Sequence, residues 1–257
     1  MNTDFTLLTF ENFLRTFQVE GYSFHTFTEY CEEKTSDKYV LLRHDIDKKP
    51  ENALKIALLE YRLGIKSSFY FLINSSVFNP EIIKEIASLG HEIGYHYRDL
   101  SQSLGNYKSA INLFQQNLSN LRSVVPVSTI AMDGSPWSKY DNRDLWKKYD
   151  YRDYGIIGEP YFDFLNRDDV LYFTDTGRCW DGDKFNVRDK RINPSSVLQP
   201  NFHSTYDFIE WIKKSDNQLP IMITTHPQRW TDNRCEWFLE LLMQNAKNVV
   251  KRLFVKR

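Results

Sequence analysis

The chain has 257 residues, 41% of them hydrophobic and 15% aromatic, with ten glycines and a formal net charge of -1. This composition excludes a disordered chain, and the near-neutral charge excludes a protein built on general attraction to nucleic-acid phosphates, so no nucleic-acid partner is expected. Cys31, Cys179 and Cys235 are widely separated, with no CxxC pair or Cys/His cluster, which excludes a disulfide framework or a zinc finger and fits a reducing compartment.

The first ten residues lack a basic-then-apolar leader pattern, and no run approaches the roughly 18 apolar residues of a membrane helix. A cytoplasmic location with no transmembrane segment is therefore expected. Along the chain an N-terminal helix is predicted near Glu11–Glu20. Short β-rich runs then alternate with amphipathic stretches, the pattern of repeated βα units around a mostly parallel sheet. Seven strands are predicted: Tyr39–Asp47, Ser67–Ile73, His91–His96, Ser128–Asp133, Gly155–Tyr161, Val170–Thr174 and Ile221–His226. Between and after them lie helical patterns over Pro50–Leu63, Pro80–Leu89, Tyr107–Arg122, Arg143–Lys148, Thr205–Lys214 and Glu236–Arg252. Pro50 suits a first helical turn, and Gly64 and Gly90 sit where a left-handed residue ends a helix.

The region 161–201 reads as a strand with long loops bordering the site, and the Lys and Arg residues of Lys251–Arg257 as a solvated helix face and tail. No Pro/Ser-rich hinge or self-similar repeat divides the chain, so one domain over 1–257 is expected. The fold class is α/β, as a distorted (β/α)7 barrel, which routinely fills this length.

The chemistry collects at strand ends. In Arg43-His44-Asp45-Ile46-Asp47 side chains alternate, so Arg43, Asp45 and Asp47 share one face and His44 and Ile46 the other. Two convergent carboxylates call for a cation, an arginine or a shared proton, although alone a DxD serves equally as a turn or helix cap. His91 and His96 are five residues apart and face opposite ways in an extended chain. His96 lies at the C-terminal strand end, where barrels place active sites, while His91 lies at the structural end. Asp133, Asp175 and His226 repeat the strand-end placement, and Pro227 stops the last strand. Polar ligand-type residues at the ends of five strands describe one rim.

At these residues the chain resembles the polysaccharide deacetylase family of carbohydrate esterases, in a divergent branch whose first motif reads Arg43-His44-Asp45-Ile46-Asp47. The resemblance implies a barrel hydrolase that removes an acetyl group from an amino-sugar-containing saccharide. It implies Asp45 as base, Asp47 and His96 as ligands of a divalent metal, and His226, in Thr225-His226-Pro227, as acid. Gly134-Ser135-Pro136 resembles the family's groove wall.

The family's second ligand histidine would fall at position 100, which is Leu100, so Asp47 and His96 leave a zinc site one protein ligand short. Asp133 is the first candidate for the gap and Asp99 the second. Zinc is the first expectation, with Mg, Mn or Fe as alternatives for an oxygen-richer shell. Arg43, Pro136, Trp137, Arg178 and Trp180 are expected as substrate-binding residues, with Arg43 or Arg178 also able to hold Asp45 ionised; Trp137, Trp180 and Trp230 suit sugar stacking or, equally, core packing. A cytoplasmic location favours a small or lipid-linked glycan precursor. Two other readings stand beside this one: a family member that binds carbohydrate without catalysis, and a metal-dependent glycosyltransferase using the DxD. The second lacks a Gly-rich phosphate loop after an early strand.

Overall fold

The computed structural model describes residues 3–180, 185–186, 188 and 199–255. Much of the loop region expected over 161–201, and the charged side chains of 251–257, lie outside that description. Among the described residues seven strands form one parallel sheet: β1 (Ser23–His25), β2 (Tyr39–Ile46), β3 (Ser68–Phe71), β4 (Glu92–Tyr97), β5 (Ile130–Met132), β6 (Leu171–Thr174) and β7 (Ile221–Thr225). The order is β5-β4-β3-β2-β7-β6, with β1 beside the start of β2. Every residue of β2 is buried, as befits a central parallel strand covered on both faces. The helices are α1 (Leu7–Val19), α2 (Phe27–Cys31), α3 (Pro50–Arg62), α4 (Pro80–Ser88), α5 (Asp99–Gln102), α6 (Tyr107–Arg122), α7 (Pro160–Asp163), α8 (Thr205–Lys214) and α9 (Arg234–Val255). The sheet curls into an incomplete barrel: among the described residues no pairing joins β5 to β6. None of the described helices is long and apolar enough to cross a membrane. All three cysteines are free.

Local chemistry sets the helix starts. Asn79 caps α4 ahead of Pro80, Asn106 caps α6, and Ser204 and Asp207 form a reciprocal capping box on α8. The same chemistry overturns one expected strand. Over Gly155–Tyr161 only Gly158 makes a bridge, to Thr129, and the chain then enters α7. Glu159 accepts from the N–H groups of Tyr161 and Phe162, with Pro160 in the first helical position, so a helix cap wins over strand pairing. The seventh strand is instead β1, whose three residues are too short to show an alternation. The helix expected at Arg143–Lys148 is a 3-10 turn over Asn142–Lys147.

Two buried contacts brace β4 within this frame. Asp99 accepts from the Tyr95 hydroxyl at 2.8 and 2.9 Å and from the Asn117 amide at 2.9 Å, fully buried beside α6. Gly94 in β4 lies against the Tyr70 ring, where a methyl group would overlap the ring carbons. That ring in turn lies under the Arg43 guanidinium, 5.6 Å from its centroid.

Gly94→Ala is expected to destabilise the fold by about 1–3 kcal/mol through overpacking. Unchanged denaturant midpoints would show that the Tyr70 ring yields freely. For Asp99, burial pushes the carboxyl up to about 7, with the Tyr95 and Asn117 hydrogen bonds pulling the other way. A raised carboxyl favours the fold fully below the unfolded value near 4, and that contribution is lost as pH rises through 7. Asp99→Asn, neutral throughout, should therefore gain stability relative to wild type by on the order of 4 kcal/mol between pH 4 and pH 8. Urea melts at both ends of that range with parallel offsets would refute it.

Candidate metal and acid–base site

Five parallel strands end at one rim, and each is followed or closed by a polar side chain of the expected set. Asp47 follows β2, His96 is the penultimate residue of β4, Asp133 follows β5, Asp175 follows β6 and His226 follows β7. The donor atoms of Asp47, His96 and Asp133 lie within 4.8 Å of one another. His96 Nδ1 donates to the Ala131 carbonyl at 2.9 Å, which turns Nε2 toward the carboxylates, 3.5 Å from Asp47 and 3.7 Å from Asp45. This is the orientation a ligand histidine needs, with its second nitrogen fixed by an acceptor. Asp133 accepts from the Ser135 N–H at 2.5 Å and from its hydroxyl at 2.8 Å.

Burial alone would depress the His96 imidazole, but Asp45, Asp47 and Asp133 together raise it to about 9. Desolvation likewise opposes ionisation of Asp47, yet His96, His226 and Arg229 hold its carboxyl below the usual range. Two carboxylates and an imidazole nitrogen gathered at this mutual spacing are a donor set that suits a divalent ion. Asp99, the alternative third donor, is turned away into its Tyr95 and Asn117 contacts.

Asp45 is held from the side. Arg43 Nε and Nη2 donate to its two carboxylate oxygens at 2.7 and 2.8 Å, a bidentate pair that is almost wholly buried. Arg43 also donates to the Met132 carbonyl, and its guanidinium lies over the Tyr161 ring at 5.4 Å. The shared strand face read from the sequence is thus realised, and of the two arginines considered, Arg43 is the counter-charge. Arg178 is instead stacked against Phe5 and Trp237 at 4.9 and 4.8 Å. Its guanidinium sits on aromatic faces because burial disfavours the cation and ring contacts compensate.

The opposite side of the rim holds a unit that the sequence only hinted at. His226 Nδ1 lies 2.6 Å from Asp175, whose second oxygen accepts from the His226 N–H at 3.0 Å and from the Trp230 indole at 2.9 Å. Arg229 also contacts Asp175. Desolvation would raise the Asp175 carboxyl, but Arg229 and His226 bring it down to about 2. Asp175 thereby orients the imidazole with Nε2 toward Asp47, 3.9 Å away. Asp175 stood out as a strand-end carboxylate without a role. Arg229 was legible only as the third residue beyond His226, and Trp230 as a loop tryptophan with no link to Asp175.

Asp45, Asp47, His96, Asp133, Pro136, Trp137 and His226 all line one cleft. Trp137 is 61% exposed there. Trp180 and Trp230 do not line it, which corrects the expectation that Trp180 binds substrate. Both are buried among Phe10, Phe13 and Phe208, and the area their rings remove from water explains the placement.

No protein-family model matches the chain. No curated protein matches it either. Among solved structures, a Streptococcus mutans CE4 esterase is similar over 91% of this chain and 90% of its own, at 16% identity and a TM-score of 0.49. A family 4 carbohydrate esterase from Bacillus anthracis is similar over 93% of this chain and 86% of its own, at 11% identity and a TM-score of 0.39.

Proposed function

We propose that the chain is a metal-dependent hydrolase that removes an N-acyl group, acetyl first, from an amino-sugar-containing saccharide. The observation that carries this reading is the convergence, on one rim, of a three-donor cluster, an arginine-held carboxylate and an aspartate-held imidazole. Asp47, His96 and Asp133 would hold the ion, zinc first, with Mg, Mn or Fe open to an oxygen-rich shell. When bound, a divalent ion supplies Lewis acidity toward an acyl carbonyl and lowers the pKa of water.

The chain's own residues divide the proton work. Asp45, fixed by Arg43 and placed beside His96, accepts the proton of the attacking water. His226 carries a proton on Nε2 toward the departing amine while Asp175 keeps its Nδ1 side engaged. The saccharide rests on the motif resemblance around Arg43–Asp47 and is supported by Trp137, whose exposed ring offers an apolar face beside the cleft.

Protein purified without chelator should carry about one divalent ion per chain, as a site with three protein ligands implies. It should also release acetate from a panel of N-acetylated sugars. Asp45→Asn is expected to lower kcat by on the order of 10²–10⁴ while retaining the ion. His226→Gln should do the same with the alkaline limb of the pH–rate profile altered, since that limb reports loss of the general acid's proton. Absence of bound metal together with absence of Asp45-dependent turnover would overturn the reading. Metal and sugar binding without any turnover would make the chain a carbohydrate-binding protein instead.

A further inference from the structure

The cleft has a second electrostatic side. Its floor carries Asp45, Asp47 and Asp133, while Lys48 and Lys247 line it from the loop after β2 and from α9. The backbone turns sharply between Lys48 and the next helix: Lys49 has φ 50, a left-handed conformation, and Pro50 opens α3. Lys49 forms an ion pair with Glu236 of α9 at 3.6 Å, which ties this loop to the helix that carries Lys247. Lys48, its neighbour, lines the cleft.

The other cations of the cleft are already engaged. Arg188 donates to the carbonyls of Gly134, Ser135 and Ser138, at 2.6 to 3.0 Å. Arg229 is committed to Asp175. Lys48 and Lys247 differ from these two arginines: both line the cleft, together with the buried Glu240 carboxylate of α9, and among the described residues no carboxylate lies within ion-pair distance of either. Burial and the Lys48 charge hold the Lys247 ammonium below its ordinary value, with Glu240 pulling the other way. Two ammonium groups lining one cleft repel each other, and a negative group entering that cleft offsets the repulsion while gaining charge-assisted contacts.

We infer that the Lys48–Lys247 wall is an anion subsite, and that the saccharide acted on in this cleft carries a carboxylate or a phosphate group. The saccharide half of this statement rests on the proposed deacylase activity. The anion half does not.

Both halves can be read apart. Binding of N-acetylglucosamine 1-phosphate, of neutral N-acetylglucosamine and of inorganic phosphate would be measured by calorimetry on metal-loaded protein, wild type and Lys48→Gln/Lys247→Gln. The phosphorylated sugar should bind at least about tenfold more tightly than the neutral one, a ratio that falls with added salt and falls toward one in the double variant. The ligand-free double variant should melt no lower than wild type, because a repulsion has been removed. An N-acetylated sugar bearing a carboxylate then separates the two anion sources by its own ratio. An equal ratio in wild type and double variant overturns the subsite. So does phosphate binding that survives in the double variant and disappears in Asp47→Asn, since that places the anion on the metal cluster. Acetate release failing with every sugar, while the charge-dependent binding ratio holds, would sink the deacylase reading and leave the anion subsite standing.

Discussion

Three carboxylates and one imidazole meet at the ends of neighbouring parallel strands, and mutual repulsion among Asp45, Asp47 and Asp133 is the constraint that shapes everything around them. Two unit charges about 4 Å apart interact by about 4 kcal/mol at the effective dielectric typical near a protein surface. Such a cluster stands in a folded chain only if each charge is answered. Arg43 answers Asp45 with a bidentate pair, the Ser135 N–H and hydroxyl answer Asp133, and His96 stands between Asp45 and Asp47. The buried guanidinium then imposes its own requirements, met by the Met132 carbonyl and by the faces of Tyr70 and Tyr161. Gly94 is small because Tyr70 occupies the space its side chain would need. A chain of packing necessities thus runs outward from one electrostatic fact.

The other face of β2 is polar as well, which is unusual for a central strand. His44 contacts Thr225 through Nδ1 at 2.7 Å and Glu60 of α3 through Nε2 at 2.8 Å. Glu60 also accepts from the Ser67 hydroxyl, next to His91, whose Nε2 meets the Ala57 carbonyl at 3.0 Å. These groups are fully buried or nearly so. They join β2, β7 and α3 from behind the sheet, directly after which β7 delivers His226 to the rim. The hydrogen bonds of this group rigidify the core, while the 2.8 Å approach of His44 Nε2 to Glu60 is a close contact without hydrogen-bond geometry.

Much of this was legible in the sequence because strand periodicity is a strong signal. Alternation along Arg43–Asp47 correctly separated the site face from the His44 face, and the strand-end rule selected His96 over His91. Asp133 joins Asp47 and His96 in the cluster, while Leu100 is buried in the core. What failed had physical reasons. A three-residue strand such as β1 is too short to show a period, and the cap built by Glu159 and Pro160 defeated the expected strand because side-chain hydrogen bonds are not visible in hydropathy. For tryptophans in apparent loops the sequence left sugar stacking and core packing open, and Trp180 and Trp230 joined the core, since loop position does not report burial. Asp175 and His226 were legible as strand-end residues of one rim, but their pairing with Arg229 was not, because it depends on β6 lying beside β7, which periodicity does not report.

The donors of the cluster are held in different ways. β2, which leads to Asp47, is laddered to β3 on one edge and β7 on the other, and β4, which bears His96, lies between β3 and β5. β5 is an edge strand of three residues. On its outer side the Met132 N–H is met by the side chain of Glu159, at 3.1 Å, and only the Thr129–Gly158 bridge continues the pairing. Asp133 is tied beyond that ladder by side chains and turn groups: its N–H donates to the Tyr97 carbonyl at 2.9 Å, its carbonyl accepts from the Asn142 amide at 2.8 Å, and its carboxylate accepts from Ser135. Asn142, which also reaches the Ser135 hydroxyl, thereby does for the edge strand what a second neighbouring strand does for β2 and β4.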